Sequence, residues 1–281
     1  MNRKAFALST SFLALAILLL LFPITSCNRG GADELFRKAE ADLGVGKIGS
    51  ALRIYDEMLS DFPNDPARPK IFFKIAELYE IFLGDIDRAV ESYGRVISEY
   101  PGSTWAANAR ELRASLEEGR GNFESAIEDY TALLKYASGD DIHKYRILLA
   151  GGYLASGAYS QARVELIPVI EAESAPMEYV ANAIFMYAES FFLGGRPEEA
   201  IRWYDALIEN FPDSELAPEA KLHMATCFEE TGRLGAARNV TERSSDYPNQ
   251  KVVDARMKSI DKKGLPIVQQ NKKRKPPAKR K

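Results

Sequence analysis

The sequence predicts an all-α protein, an α-solenoid of about six helix-turn-helix repeats. Three observations predict it. First, six segments share one punctuation: residues 46–63, 84–101, 121–138, 157–174, 195–212 and 232–248 each open on a glycine, and four close on a proline. Second, an alanine follows each glycine by five residues, at Ala51, Ala89, Ala126, Ala162, Ala200 and Ala237, with spacings of 38, 37, 36, 38 and 37. Third, each unit offers two helices with one apolar stripe apiece, which cannot close a core alone and must stack on a neighbour.

At the N-terminus, "MNRK" carries two positive charges and residues 12–22 read "FLALAILLLLF". That run is short of the roughly 20 apolar residues a bilayer-spanning helix needs, and fits the core of about 7–15 found in export signals. Small residues Thr25 and Ser26 precede Cys27. The tetrapeptide "ITSC" resembles the lipobox of bacterial lipoproteins. The resemblance implies a signal peptide over 1–26, cleavage before Cys27, a diacylglycerol on its thiol and a short linker over 27–31. An uncleaved anchor helix is the other reading; both place the rest of the chain outside the cytoplasm. One acyl chain binds a membrane only marginally, at about 0.8 kcal/mol per buried methylene, so stable anchoring needs two or three. Asn28, where an aspartate would imply inner-membrane retention, points to the outer membrane.

Within each repeat the glycine permits a left-handed turn. The alanine five residues later lets the second helix pack close. Tyr55, Tyr93, Tyr130 and Tyr204 come four residues after that alanine, on the same face, and fill the space it leaves. Leu166 and Thr241 stand there in the fourth and sixth repeats. Pro63, Pro101, Pro212 and Pro248 are expected to stop the second helix. Small residues also recur seven back from the turn glycine, at Ala39, Ala114, Ala150, Ala188 and Ala225. In the second repeat Ala76 lies eight back, which implies one inserted residue.

This pattern resembles the tetratricopeptide repeat, over residues 32–262. The units exceed that family's usual length of about 34 residues. The excess lies after the closing proline, in "YPGSTWAANAREL" and "FPDSELAPEAKL". Such joints are similar to those of two periplasmic repeat proteins: the BamD-type lipoprotein of the outer-membrane β-barrel assembly machine, the better match, and the Tol-Pal-associated coordinator of cell division. The repeat family's ligand-facing positions imply a partner-binding groove at Phe36 and Glu40; Phe73, Glu77 and Glu80; and Phe185, Glu189 and Phe192. Aromatics beside acids suit an extended peptide with apolar and basic side chains. The competing reading places these phenylalanines in the core.

No catalytic or metal site and no cofactor is expected. The two histidines, His143 and His223, lie in different repeats without a second ligand at metal spacing. "GVGKIGS" has Ile48 where a phosphate loop needs Ser or Thr. "GGYLASG" reads as small residues at a helix contact followed by the turn. Cys227 sits in a helical pattern and reads as a core residue. Net charge divides sharply: residues 28–257 hold 25 Lys+Arg against 39 Asp+Glu, whereas 258–281 hold ten basic residues and one acid. The tail over 263–281 is too charged and proline-rich to build a core and is expected to be disordered. It suits anionic lipid or an acidic protein surface; export argues against nucleic acid. The expected function is a lipid-anchored scaffold facing the periplasm, binding protein partners in outer-membrane β-barrel assembly. The alternatives are a division or peptidoglycan-linked coordinator, or an exporter subunit.

Overall fold

The computed structural model describes residues 24–264, with side chains from Gly30 onward. Residues 1–23, most of the segment 1–26 expected to be a signal peptide, the Cys27 side chain and residues 265–281, most of the expected tail, lie outside the described residues. Among the described residues there are thirteen α-helices and no strand. In order they are α1 (Ile24–Gly44), α2 (Ile48–Asp61), α3 (Arg68–Glu77), α4 (Ile86–Glu99), α5 (Thr104–Gly119), α6 (Phe123–Leu134) and α7 (Asp140–Ala155). Then come α8 (Tyr159–Ile170), α9 (Met177–Leu193), α10 (Pro197–Asn210), α11 (Ala217–Glu230), α12 (Leu234–Glu242) and α13 (Gln250–Gly264). Helices α1, α3, α7, α9 and α11 each form a hairpin with the helix that follows. The fold is the all-helical repeat array that the spacing predicts. The backbone over 27–31, read from sequence as a linker, is part of α1.

All six turn glycines hold positive φ, between 64° and 79°. A side chain is strained there, so the turn selects glycine. At five of the turns the residue after the glycine donates its N–H to the carbonyl five residues earlier: Lys47 to Asp42, Asn122 to Glu117, Ala158 to Tyr153, Arg196 to Phe191 and Arg233 to Phe228, each at 2.8 Å. This is the bond that closes a helix on a left-handed residue. In the second hairpin Asp85 reaches six residues back, to Tyr79, at 2.9 Å. There α3 continues as a π-helical turn over Leu78–Leu83. The inserted residue legible in the sequence is therefore absorbed by widening the last turn of the first helix.

The chain divides into two compact units at Leu116/Glu117, within α5. In the first, one core joins α1, α2 and α3 around Tyr55, Met58 and Ile71. A second joins the α3/α4 hairpin to α5 through Phe72, Phe73, Tyr93, Val96 and Ala109. In the second unit, Leu166 and Val169 of α8 pack with Ala150 and Ala183. Tyr204, Leu207, Phe191, Met224 and Cys227 build the core of α9, α10 and α11. All six repeat alanines are fully buried, and so are Tyr55, Tyr93 and Tyr204. Gly152 of α7 also makes a close approach: a Cβ there would stand 3.0 Å from Ile127.

The closing prolines act one residue early. α2, α4 and α10 end just before Phe62, Tyr100 and Phe211, whose φ/ψ values of −122°/66°, −134°/51° and −132°/55° have left the helical region that the ring of a following proline disfavours. The sixth repeat differs: α12 already ends at Glu242, six residues before Pro248. There the Thr241 hydroxyl donates to the Ala237 carbonyl at 2.8 Å and the Ser244 hydroxyl to that of Val240 at 3.0 Å. Such back-bonding competes with the helix ladder, so the helix yields before the proline is reached.

Candidate functional site

The repeat tyrosines set the chemistry of the first helices. Burying a phenol ring leaves its O–H in need of an acceptor. Tyr55 finds Glu40, Tyr93 finds Glu80 at 2.9 Å and Tyr130 finds Glu118 at 3.2 Å. Burial first, and the adjoining carboxylates second, push the Tyr55 and Tyr93 hydroxyls far above the ordinary phenol range, so they remain donors. In the fourth repeat, where Leu166 replaces tyrosine, Arg146 bonds Glu165 at 2.6 Å instead. Glu40 and Glu80 thus each serve as the acceptor of a buried tyrosine, and Glu77 is paired to Lys74 at 2.7 Å. Phe73 is buried against Tyr93 and Trp105, with ring centres 5.3 and 5.0 Å away. Phe36 is half-buried beside Tyr55 and carries the Lys70 ammonium 4.2 Å above its ring.

The fifth repeat is built differently. Glu178, Asn182, Phe185 and Glu189 recur along α9 at i, i+4, i+7 and i+11, which places them on one stripe. Facing them are Glu215 and Leu216 of the joint, then Glu219 and His223 of α11. His223 ties the two sides together. Its Nδ1 lies 3.2 Å from the Tyr204 hydroxyl and 3.4 Å from Glu189, its Nε2 3.8 Å from Glu219, and its ring centre 5.4 Å from that of Phe185. At the N-terminal end of α9 the seam opens into a cleft of about 650 Å³. Met177, Ala181, Phe211 and Leu216 give it apolar surface; Glu178, Asp213 and Glu215 give it carboxylates. None of these three acids has an ion-pair partner among the described residues.

The result is a trough with an apolar lining and five carboxylates. It has no Lys or Arg among the residues named, and His223 is its sole titratable base. Phe185 lies mostly beneath the surface, at 8% exposure, while Glu189 and His223 stay about one-third open. Phe192, one face further round, packs onto the same core. Of the eight groove residues expected from sequence, Phe185 and Glu189 line this trough. Sequence reasoning missed Glu178, Asn182, Glu215, Glu219 and His223. The i, i+4 spacing of acids was the available signal, but His223 meets its partners 19 and 34 residues away, through packing alone.

Two other features bear on function. At the π turn, Ile81, Phe82 and Leu83 are 66%, 59% and 51% exposed, three adjacent apolar side chains at a hairpin tip. Cys227, behind the trough in the core, has its thiol pushed up to about 12, chiefly by burial and then by Glu230. Among the described residues there is no cluster of three or more His, Cys, Asp or Glu arranged to hold a metal ion. No helix among them is long and apolar enough to cross a membrane.

Comparison with known proteins bears on the fold. The tetratricopeptide repeat family model matches residues 71–103 and 182–214, the second and fifth hairpins. No curated protein matches the chain. Among solved structures, a tetratricopeptide repeat protein from Parabacteroides merdae superposes with a TM-score of 0.54 at 16% identity, over 82% of this chain and 98% of that one. PilW, a type IV pilus biogenesis factor, gives 0.53 at 15%, over 82% and 97%. YrrB, described as a tetratricopeptide repeat protein with an unusual peptide-binding site, gives 0.50 at 14%, over 73% and 97%. The fold is thus that of tetratricopeptide-like solenoid repeats.

Proposed function

We propose that this tetratricopeptide-like chain is a protein-binding scaffold, and that the α9/α11 trough is where it takes hold of a partner segment with apolar and basic side chains. The observation that carries the reading is the trough's composition. Five carboxylates, three of them without an ion-pair partner among the described residues, surround apolar surface beside a one-third-open His223. A cationic side chain entering there exchanges solvent for carboxylates, while an apolar neighbour covers Met177, Phe211 and Leu216. Repeat arrays use such faces for docking, and the role needs no catalytic group.

The lipobox resemblance at Cys27 supports a lipid-anchored scaffold facing the periplasm at the outer membrane. The joint-sequence resemblance supports a place in β-barrel protein assembly. A coordinator of division or peptidoglycan attachment, or an exporter subunit, is the alternative. Two experiments test the proposal. Palmitate labelling is expected on the wild type and lost in Cys27→Ala. Affinity purification from detergent-solubilised envelopes is expected to recover barrel-assembly components, with at least tenfold lower yield for Glu178→Lys/Glu219→Lys. Capture unchanged by that charge reversal overturns the trough as the docking site. Recovery of Tol-Pal components instead favours the alternative.

A further inference from the structure

We infer that the trough is occupied, in the unpartnered protein, by this chain's own C-terminal segment, residues 265–281. The inference rests on reading the trough as a peptide-binding site, and adds an occupant and a mode of regulation.

Charge and composition argue for it. Residues 28–257 carry a surplus of 14 negative charges, whereas 258–281 carry a surplus of nine positive ones. The segment reads "LPIVQQNKKRKPPAKRK", an apolar tetrad followed by a basic run. The tetrad and the glutamines lie nearest the anchor point beside α11, and the basic run is the part that complements the trough's carboxylates. Backbone bonding is no obstacle, since Pro266, Pro276 and Pro277 favour an extended chain.

Where the segment begins also fits. Helix α13 lies against α11: Arg256 bonds Glu229 at 3.0 Å and Lys263 bonds the same carboxylate at 2.5 Å. Gly264 therefore sits beside the C-terminal end of α11. Glu219 lies ten residues back along α11, roughly 15 Å at 1.5 Å per residue. Crossing to the α9 side adds one helix spacing, about 10 Å. An extended chain covers about 3.3 Å per residue, so eight residues reach that far, and Lys272, the first of the basic run, is the eighth after Gly264. Tethering by so short a linker holds the segment at millimolar effective concentration. An external partner must displace it, so the tail sets a threshold for binding.

The experiment is carbodiimide cross-linking of the full mature chain at low ionic strength, with peptide mapping of the monomer fraction. Links are expected from Lys272, Lys273, Lys275, Lys279 or Lys281 to Glu178, Glu189, Glu215 or Glu219, fading as salt screens the attraction. A second measurement uses a fluorescent synthetic peptide of sequence 265–281. It is expected to bind a full chain whose tail Lys and Arg are replaced by Gln at least tenfold more tightly than it binds the wild type. Links confined to other faces, or found only between two chains, overturn the inference. Equal peptide binding to both chains overturns self-occupancy and leaves the trough standing as a peptide site. Tail-dependent capture on phosphatidylglycerol vesicles with no trough links makes the tail a lipid-binding element and also overturns it.

Discussion

Tyr93 donates its hydroxyl hydrogen to Glu80 at 2.9 Å, in the same register in which Tyr130 donates to Glu118. Each acceptor stands four residues after its helix's small residue, Ala76 or Ala114. The second repeat nevertheless has one residue more before its turn. Since the tyrosine–glutamate register is kept, the extra residue lies beyond Glu80, where the π turn carries Ile81, Phe82 and Leu83 into solvent.

Tyr93→Phe removes one hydroxyl from a fully buried ring and leaves Glu80, half-exposed, to water. The expected cost is about 1 kcal/mol, read as a lower urea midpoint with an unchanged slope. A slope change would show that the repeat had come apart.

Deleting Ile81 shortens the widened turn to the length of the other five. Glu80 precedes the deletion and Tyr93 follows it on α4, and the other repeats join the same two helices with one residue fewer, so stability is expected to stay within about 0.5 kcal/mol of wild type. Deleting Met186 from α9 rotates the helix beyond it by about 100° and buries the wrong face. A thermal melt with no cooperative transition is expected for that variant.

Two adjacent glycines of α7 are expected to behave oppositely. At Gly151 a Cβ would meet only the methyl end of Met186, at 3.6 Å, so Gly151→Ala gains helix propensity of up to about 1 kcal/mol. At Gly152 it would stand 3.0 Å from Ile127, well inside ordinary contact, so Gly152→Ala loses that gain to displacement of the neighbouring helix. Differential scanning calorimetry of both variants reads the difference in sign.

Burial raises the Glu118 carboxyl above its ordinary value, against a smaller downward pull from the Tyr130 hydroxyl. The folded state therefore holds this proton more tightly than the unfolded one. Glu118 favours folding at low pH and costs stability as pH rises from the ordinary carboxylate range through its raised folded value. Glu118→Gln removes that dependence and keeps an acceptor for Tyr130. The difference between mutant and wild-type melting temperatures is expected to become more positive across that interval as pH rises.

With its thiol raised to about 12 and fully buried, Cys227 is expected to resist iodoacetamide at pH 8 in the folded protein and to react fully in guanidinium. Rapid labelling of the native chain would show that the core of α9, α10 and α11 opens.

The sequence by itself determined the number of hairpins, their turn glycines, the buried alanines and tyrosines, and the existence of an extra residue before Gly84. Each is a local requirement: left-handed backbone, close approach or volume filling within some forty residues, and each leaves one residue type at one spacing. It misjudged the end of α12, because hydroxyl back-bonding by Thr241 and Ser244 acts before Pro248 can. Only the tertiary structure decided that Glu40 and Glu80 are acceptors for buried phenols, and that Phe73 and Phe185 belong mainly to the core. It alone placed His223 between Glu189 and Glu219. Those pairings join different helices, and the facing of two stacked helices depends on how their stripes interlock, which no single stripe contains.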